Sequence, residues 1–349
     1  MTYISLPRQG TGHHVLDSFV WSSRLRFARN VEGRTFPWRM SEKEAFELDT
    51  KLCEVLSSLL PESVFLHSEE LESEEILRLY ARRLISQNFV KQGRSFGYAR
   101  DGSWSIMLLE DDHIRLQSCE MGYRIPTMFD TLVPLLRNIE QHVDFAFDEK
   151  LGYLTSSLLN VGTGMRMSAL LNLWGLKHTK NINPIMEYAN NISYMIINFI
   201  NDDSDCPLYY CFNYYSLGMS EQEMLTEFEE FLKRIWLMEE EAREKIFSND
   251  EEALHYYLEL QDITKYNSLS YEEMLSALCT IDVFEQRAII DLGKKDSLRM
   301  LAFTYSEDMM TYDYQIDQED GDHLRWREMI KILHRIRLKP ILSRRGARI

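Results

Sequence analysis

The sequence predicts an α+β domain followed by an all-α domain. Helical patterns fill the chain to about residue 90, strands mix with helices to about 216, and strand signals then stop. Ser41 with Glu44 forms a capping box, and Ala45, Leu48, Leu52, Val55 and Leu59 follow at helical spacing. Segments 72–87 and 126–142 carry the same period. Ser103 to Leu109 and Ile114 to Gln117 read as strands around the acidic turn Glu110-Asp111-Asp112. Ile192 to Ile200 and Leu208 to Tyr215, rich in Ile, Tyr and Phe, read as buried strands. Ser220 with Glu223 opens a long helix through Phe228, Phe231, Leu232 and Ile235, and Ser270 with Glu273 opens another. Ser248-Asn249-Asp250 is the best break, which divides the chain into 1–248 and 249–349. The run Glu239-Glu240-Glu241 reads as a solvated helix face.

The 349 residues suffice for one large or two ordinary domains and bury most of their apolar surface on folding. Lys plus Arg number 39 and Asp plus Glu 55, a net charge of −16. That balance speaks against general nucleic-acid binding, which uses cations to displace counterions. It leaves cationic ligands open. No run of ~18 apolar residues is present, and Met1 to Leu16 has no apolar signal core. The five cysteines (Cys53, Cys119, Cys206, Cys211, Cys279) are odd in number and scattered, which points to a reducing cytosol. Cys206 and Cys211 lie in a strand-like run and read as core.

Charge is unevenly spread. Arg325 to Ile349 holds nine basic residues and one acid, Glu328. Ile330, Leu333, Ile336 and Leu338 interleave with them, so part of this segment reads as a helix face ended by Pro340, the alternative being an interaction tail. Residues 1–39 hold six arginines against Asp17 and Glu32, the mark of a local anion site.

There is no G-x-x-x-x-G-K-[ST], no H-R-D with D-F-G, no H-E-x-x-H, no C-x-x-C and no G-x-S-x-G. Three constellations remain. In Ser22-Ser23-Arg24-Leu25-Arg26-Phe27-Ala28-Arg29-Asn30, an extended backbone puts Arg24 and Arg26 on one face. Paired guanidinium forks suit a polyphosphate, or form a surface ladder with carboxylates. In Glu110-Asp111-Asp112-His113-Ile114-Arg115, three acids at a turn offer a base, or only a solvated turn. In Asn160-Val161-Gly162-Thr163-Gly164-Met165-Arg166-Met167-Ser168, two glycines would let the backbone approach a ligand, with Arg166 at a helix start whose amides favour anions. The bare G-T-G pattern is weak.

Together and in this order the three resemble the guanido (phosphagen) kinases, most closely the bacterial McsB-type protein-arginine kinases. The family's S-S-R-x-R-x-x-R-N is met at Ser22 to Asn30, its N-E-E-D-H-x-R partly at Leu109 to Arg115, and its F-D-x-x-L-G-Y-L-T-S-C-P-T-N-x-G-T-G-x-R at Phe147 to Arg166 with gaps. The resemblance covers roughly residues 15–245. It implies a guanido-kinase catalytic domain with a mainly antiparallel sheet flanked by helices, then a smaller helical domain that dimerises. It also implies ATP with Mg²⁺, and in-line transfer of the γ-phosphoryl to arginine guanidinium groups in proteins. Arg24, Arg26, Arg115 and Arg166 would clamp phosphates, with Ser22, Ser23, Arg83, Met167, Ser168, Ala169 and Leu170 in the nucleotide site. Asp111 would be the base, and Asp203 falls where the phosphagen kinases have a second specificity Glu. A McsA-like activator and a Clp-type unfoldase are the partners implied, in the cytoplasm.

The chain departs from this pattern on the guanidinium side. Asp111 is one methylene shorter than the family's Glu, and Ser157-Leu158-Leu159 replaces Cys-Pro-Thr. The R-G-x-x-G-E loop maps onto Met195 to Ile200 without its Arg or Glu, and Arg83 replaces a His. R-D-x-x-R-A is absent; Arg344-Arg345-Gly-Ala-Arg348 is not it. Two readings follow: a divergent protein-arginine kinase, or a pseudokinase that binds nucleotide or a partner as an adaptor. A free-arginine kinase is third: with the S-S-R-x-R motif beginning at residue 22, the small helical domain that closes over such substrates is expected to be missing.

Overall fold

The computed structural model of the chain describes residues 8–9, 14–292 and 298–338. Its strands are β1 (Arg8–Gln9), β2 (Val20–Arg29), β3 (Ser63–His67), β4 (Ser95–Ala99), β5 (Ser105–Leu108), β6 (Ile114–Met121), β7 (Phe147–Asp148), β8 (Gly152–Tyr153), β9 (Met165–Asn172), β10 (Tyr194–Asn198) and β11 (Leu208–Asn213). The main sheet runs β10-β11-β9-β2-β6-β5-β4-β3, with β1 parallel to β6. β2–β6, β6–β5, β5–β4 and β4–β3 are antiparallel. β7 and β8 form a separate hairpin, and β12 (Ile290–Asp291) pairs with β13 (Arg337–Leu338).

The helices are α1 (Glu42–Leu59), α2 (Ser73–Ala81), α3 (Gln87–Gln92), α4 (Ile125–Glu140), α5 (Trp174–His178), α6 (Ile182–Asn191), α7 (Glu221–Phe247), α8 (Asp250–Asp262), α9 (Tyr271–Gln286), α10 (Leu298–Thr304) and α11 (Gln318–Leu333). The capping boxes at Ser41, Ser220 and Ser270 form with reciprocal bonds to Glu44, Glu223 and Glu273. Such reciprocal bonds satisfy two of the orphan donors at a helix start. Segment 72–87 is not one helix. Arg83 takes φ +63° after α2, and Ser86 caps α3 by accepting from the Phe89 amide at 3.0 Å. A left-handed residue ends a helix because its amide turns back, here onto Tyr80 O at 2.8 Å.

Two further expectations are corrected. Arg166 opens no helix; Met165–Asn172 is a strand, buried along nearly its whole length. Apolar runs buried on both faces lose the alternation that marks a strand. Glu239 is not solvated: it is fully buried and accepts from the Gly175 and Leu176 amides at 2.8 and 2.9 Å. Glu240 is half-buried and pairs with Arg287 at 2.5 Å, and only Glu241 is exposed. Position within the helix turn, not charge density, decides which of three adjacent acids faces inward.

The chain forms two compact units. Among the described residues, the first holds 8–9, 22–169 and 212–230, and the second holds 14–21, 170–211, 231–292 and 298–338. In the first, α4 lays Ile125, Met128, Leu132, Val133, Leu136 and Ile139 inward. In the second, α9 is buried on nearly every side, from Tyr271 to Phe284. Cys206 and Cys211 are core, as the sequence indicates. No described helix is long and apolar enough to cross a membrane. Pro340 and the Arg344 to Arg348 segment lie outside the described residues.

Candidate active site

β2 and β6 carry the arginines. Their register sets Arg24 opposite Cys119, Arg26 opposite Gln117 and Ala28 opposite Arg115. Residues two apart share a face, so Arg24, Arg26, Arg115, Gln117 and Cys119 project together. Gln117 is the bracket. Its Oε1 accepts from Arg24 Nη2 at 2.7 Å, and its Nε2 donates to Leu84 O and Ser105 Oγ, each at 3.1 Å. Arg166, on β9, lies with its guanidinium carbon 4.7 Å from the Phe212 ring centroid.

Arg26 is half-buried, and its Nε is buried with no hydrogen-bond partner. Burial, and then the charges of Arg24, Arg115 and Arg166, push Arg26 well below its usual pKa, with Glu110 opposing. Burial and Arg115 lower Arg166, with Tyr214 opposing. Arg83 is near the same face: burial raises the Cys119 thiol, against the fields of Arg24, Arg83 and Arg26. Like charges gathered in a partly desolvated place are costly unless an anion joins them.

The rest of the S-S-R-x-R-x-x-R-N motif is scaffold. Ser23 Oγ donates to Gly122 O at 2.6 Å and accepts from the Arg124 amide at 3.2 Å; Ser22 is buried opposite Met121. Arg29 Nη1 donates to Ala28 O and Thr163 O, each at 2.8 Å, and its guanidinium lies 3.6 Å from the Tyr153 ring centroid. Asn30 accepts from the His113 amide at 2.9 Å and donates to Asp112 at 2.7 Å.

The G-T-G segment also serves packing. A Cβ on Gly164 would sit 2.5 Å from Ala28 O, and one on Gly162 would sit 2.2 Å from Ser216 O. The approach these glycines permit is to neighbouring backbone. Met167 does not offer its amide to an anion either, because it donates to Asn213 Oδ1 at 2.7 Å. Ser168, Ala169 and Leu170 continue β9, buried, with Leu170 in the second unit.

The acidic turn divides its labour. Leu109, where the resemblance has Asn, takes φ +51°, a left-handed conformation that Asn tolerates better. Glu110 is fully buried; it accepts from Ser86 Oγ and pairs with Arg115 Nη1 at 2.7 Å. Asp112 is fully buried and accepts from Asn30 and from the Ser156 amide at 2.7 Å; burial raises its pKa, with those bonds opposing. His113 accepts at Nδ1 from the Val31 amide and donates from Nε2 to Thr35 O. Those partners hold it neutral, and burial pushes its pKa down to about 4, with Thr35 opposing. Asp111 alone reaches solvent, its side chain 36% exposed. It accepts from Arg115 Nη2 and Asn88 Nδ2, each at 3.0 Å, and from Gln92 Nε2 at 3.4 Å.

The first unit thus gathers Arg24, Arg26, Arg83, Arg115, Arg166 and Asp111. Asp203 belongs to the second unit, exposed in the turn after β10, its amide donating to Asn201 Oδ1 at 3.0 Å. Ser157 caps a short 3-10 turn, Leu158–Asn160, whose Leu158 is 84% exposed. Sequence reading missed Gln117, Asn88 and Gln92. Gln117 was findable, two residues beyond Arg115 on a strand; Asn88 and Gln92 depend on the break after α2.

A sequence profile of the ATP:guanido phosphotransferase C-terminal catalytic domain matches residues 48–242. The chain belongs to the ATP:guanido phosphotransferase family. It is 30% identical over 309 residues to the protein-arginine kinase of Staphylococcus haemolyticus, covering 87% of this chain and 89% of that one. It is 29% identical over 286 residues to the protein-arginine kinase of Shouchella clausii, covering 78% of each. Among solved structures, lombricine kinase aligns with a TM-score of 0.55 at 19% identity, covering 68% of this chain and 72% of that one. The substrate-free duplicated taurocyamine kinase of Schistosoma mansoni aligns with a TM-score of 0.57 at 19% identity. That match covers 68% of this chain and 36% of the duplicated enzyme. At these identities the structures establish the fold: a large, mainly antiparallel sheet flanked by helices.

Proposed function

We propose that this phosphotransferase moves the γ-phosphoryl of ATP onto the guanidinium of arginine residues in proteins. The observation that carries this is the buried, unpartnered Arg26 Nε among Arg24, Arg115 and Arg166. The donor set fits a polyphosphate: forked guanidiniums bind phosphate oxygens bidentately and neutralise them. Mg²⁺ would enter on the nucleotide's phosphates and share the neutralisation.

The chemistry is positioning and charge. A guanidinium nitrogen attacks the γ-phosphorus in line, the bond to the β–γ bridging oxygen breaks, and ADP leaves. The attacking nitrogen must give up a proton, and Asp111 would take it. Arg115 holds both Glu110 and Asp111, so one residue spans the phosphate and acid sides. Asn88 and Gln92 fix the shorter Asp111 side chain. In this reading residues 1–248 carry the transfer and 249–349 form a homodimer, in the cytoplasm, with a McsA-like activator and a Clp-type unfoldase as partners by analogy.

The test is acid-labile phosphoarginine formed from Mg-ATP on the protein and on an arginine-rich substrate protein. Signal in the wild type, lost in Asp111→Asn, supports the reading. One observation favours the adaptor reading: Asp203 is an exposed turn residue held to its own loop. No phosphoarginine with ATP binding retained would decide for that adaptor.

A further inference from the structure

We propose that Asp49, Cys53 and His67 form a zinc site that clips α1 to the sheet edge formed by β3 and β4. Asp49 and Cys53 stand four residues apart on α1, so they share one helix face. His67 ends β3 and pairs directly with Ser95, the first residue of β4. A carboxylate oxygen, a sulfur and an imidazole nitrogen lie within 4.8 Å of one another. It is the one such group among the described residues. All of it belongs to the first unit, and none of the three is a residue assigned to phosphotransfer.

The donors are poised rather than saturated. Ser95 Oγ donates to Asp49 Oδ2 at 2.6 Å and contacts His67 Nδ1 at 2.7 Å. Asp49 Oδ1 is buried and has no partner, in a residue only 6% exposed. An orphaned carboxylate oxygen in a buried place is costly, and a cation relieves that cost. One oxygen, one sulfur and one nitrogen select zinc over magnesium or calcium, which take oxygen cages. Three protein ligands leave a fourth position for water. On binding, the Cys53 thiol releases its proton to solvent and coordinates as thiolate. The His67 side chain is 43% exposed, so the ion has a way in.

The test uses the full chain, stripped with chelator and without nucleotide, so it is independent of the kinase reading. Cobalt(II) replaces zinc as the probe. Expected are one thiolate-to-cobalt charge-transfer band, its bleaching by zinc, and a rise in Tm of the stripped protein when zinc is added. Cys53→Ser removes the band. His67→Gln, at a half-exposed position that the fold tolerates, weakens cobalt binding at least ~10-fold. A wild type that gives no band, or a band unchanged in both variants, overturns the site.

Discussion

Two arginines, one in each compact unit, make the most useful comparison. Arg243 is 1% exposed and saturated: Nε pairs with Glu239, Nη1 donates to Gln286 at 3.0 Å, and Nη2 donates to Asn172 O at 3.1 Å. Arg26 has cations for neighbours and a buried Nε with no partner. A buried charge whose donors are all used holds the fold together. One left short and also crowded by Arg24, Arg115 and Arg166, as Arg26 is, suits an anionic ligand. Arg325 behaves like Arg243, its donors taken by Leu269 O, Tyr305 O and Asp322. Arg29 also keeps a buried Nε without a partner, but its Nη atoms are taken by Ala28 O, Thr163 O and the Glu221 carboxylate, and no arginine crowds it. Within one nine-residue motif, then, the proposed function makes Arg26 a ligand group, while Arg29 braces Ala28, Thr163 and Glu221.

The comparison can be broken. Asp111→Asn should lower phosphoarginine formation on the order of 10²–10⁴-fold with ATP affinity little changed, read by single-turnover assay and calorimetry. Next comes Arg243→Met, which strands Glu239 without its counter-charge. It should cost about 3–5 kcal/mol in urea unfolding and leave ATP affinity per folded molecule intact.

Acid should act at a similar scale. His113 titrates at about 4 when folded, below its ordinary ~6.5 in the unfolded chain. The unfolded chain therefore binds the proton first as pH falls. The neutral-histidine contribution is whole above pH ~6.5 and drains away toward pH ~4, on the order of 3 kcal/mol in all. His178, also held down to about 4 by burial and Lys177, adds the same slope in the second unit. Unfolding curves of His113→Gln and His178→Gln across that window should each be flatter than wild type.

Arg26→Ala sharpens the contrast. ATP binding should weaken by ~1.5–3 kcal/mol while the Tm of the nucleotide-free protein holds or rises, because a repelling charge is gone. A fall in Tm comparable to that of Arg243→Met would make Arg26 another brace. The smallest effect belongs to Asn88→Ala. It removes one of the three groups that hold Asp111, leaving Arg115 and Gln92, and should slow transfer by the equivalent of about 0.5–1.5 kcal/mol without touching ATP binding.

Some local signals came out as read, while the single helix over 72–87 and the helix start at Arg166 did not. Capping boxes at Ser41, Ser220 and Ser270 need only residues three apart, and the alternation of Arg24 and Arg26 needs only a strand. The order of the three constellations was enough to place the family. Tertiary structure decided the rest, because burial and partners are not properties of a short window. It made Glu239 an interior acid and Glu241 a surface one. It turned Met165–Asn172 into a strand by covering both its faces. It gave Gly162 and Gly164 to backbone packing, and spent Asn30 and His113 on holding the acidic turn. It also left Asp111 at the surface while Glu110 and Asp112 went inside. Which donors and acceptors are used up is settled only when distant segments meet, and that accounting separates the site from its scaffold.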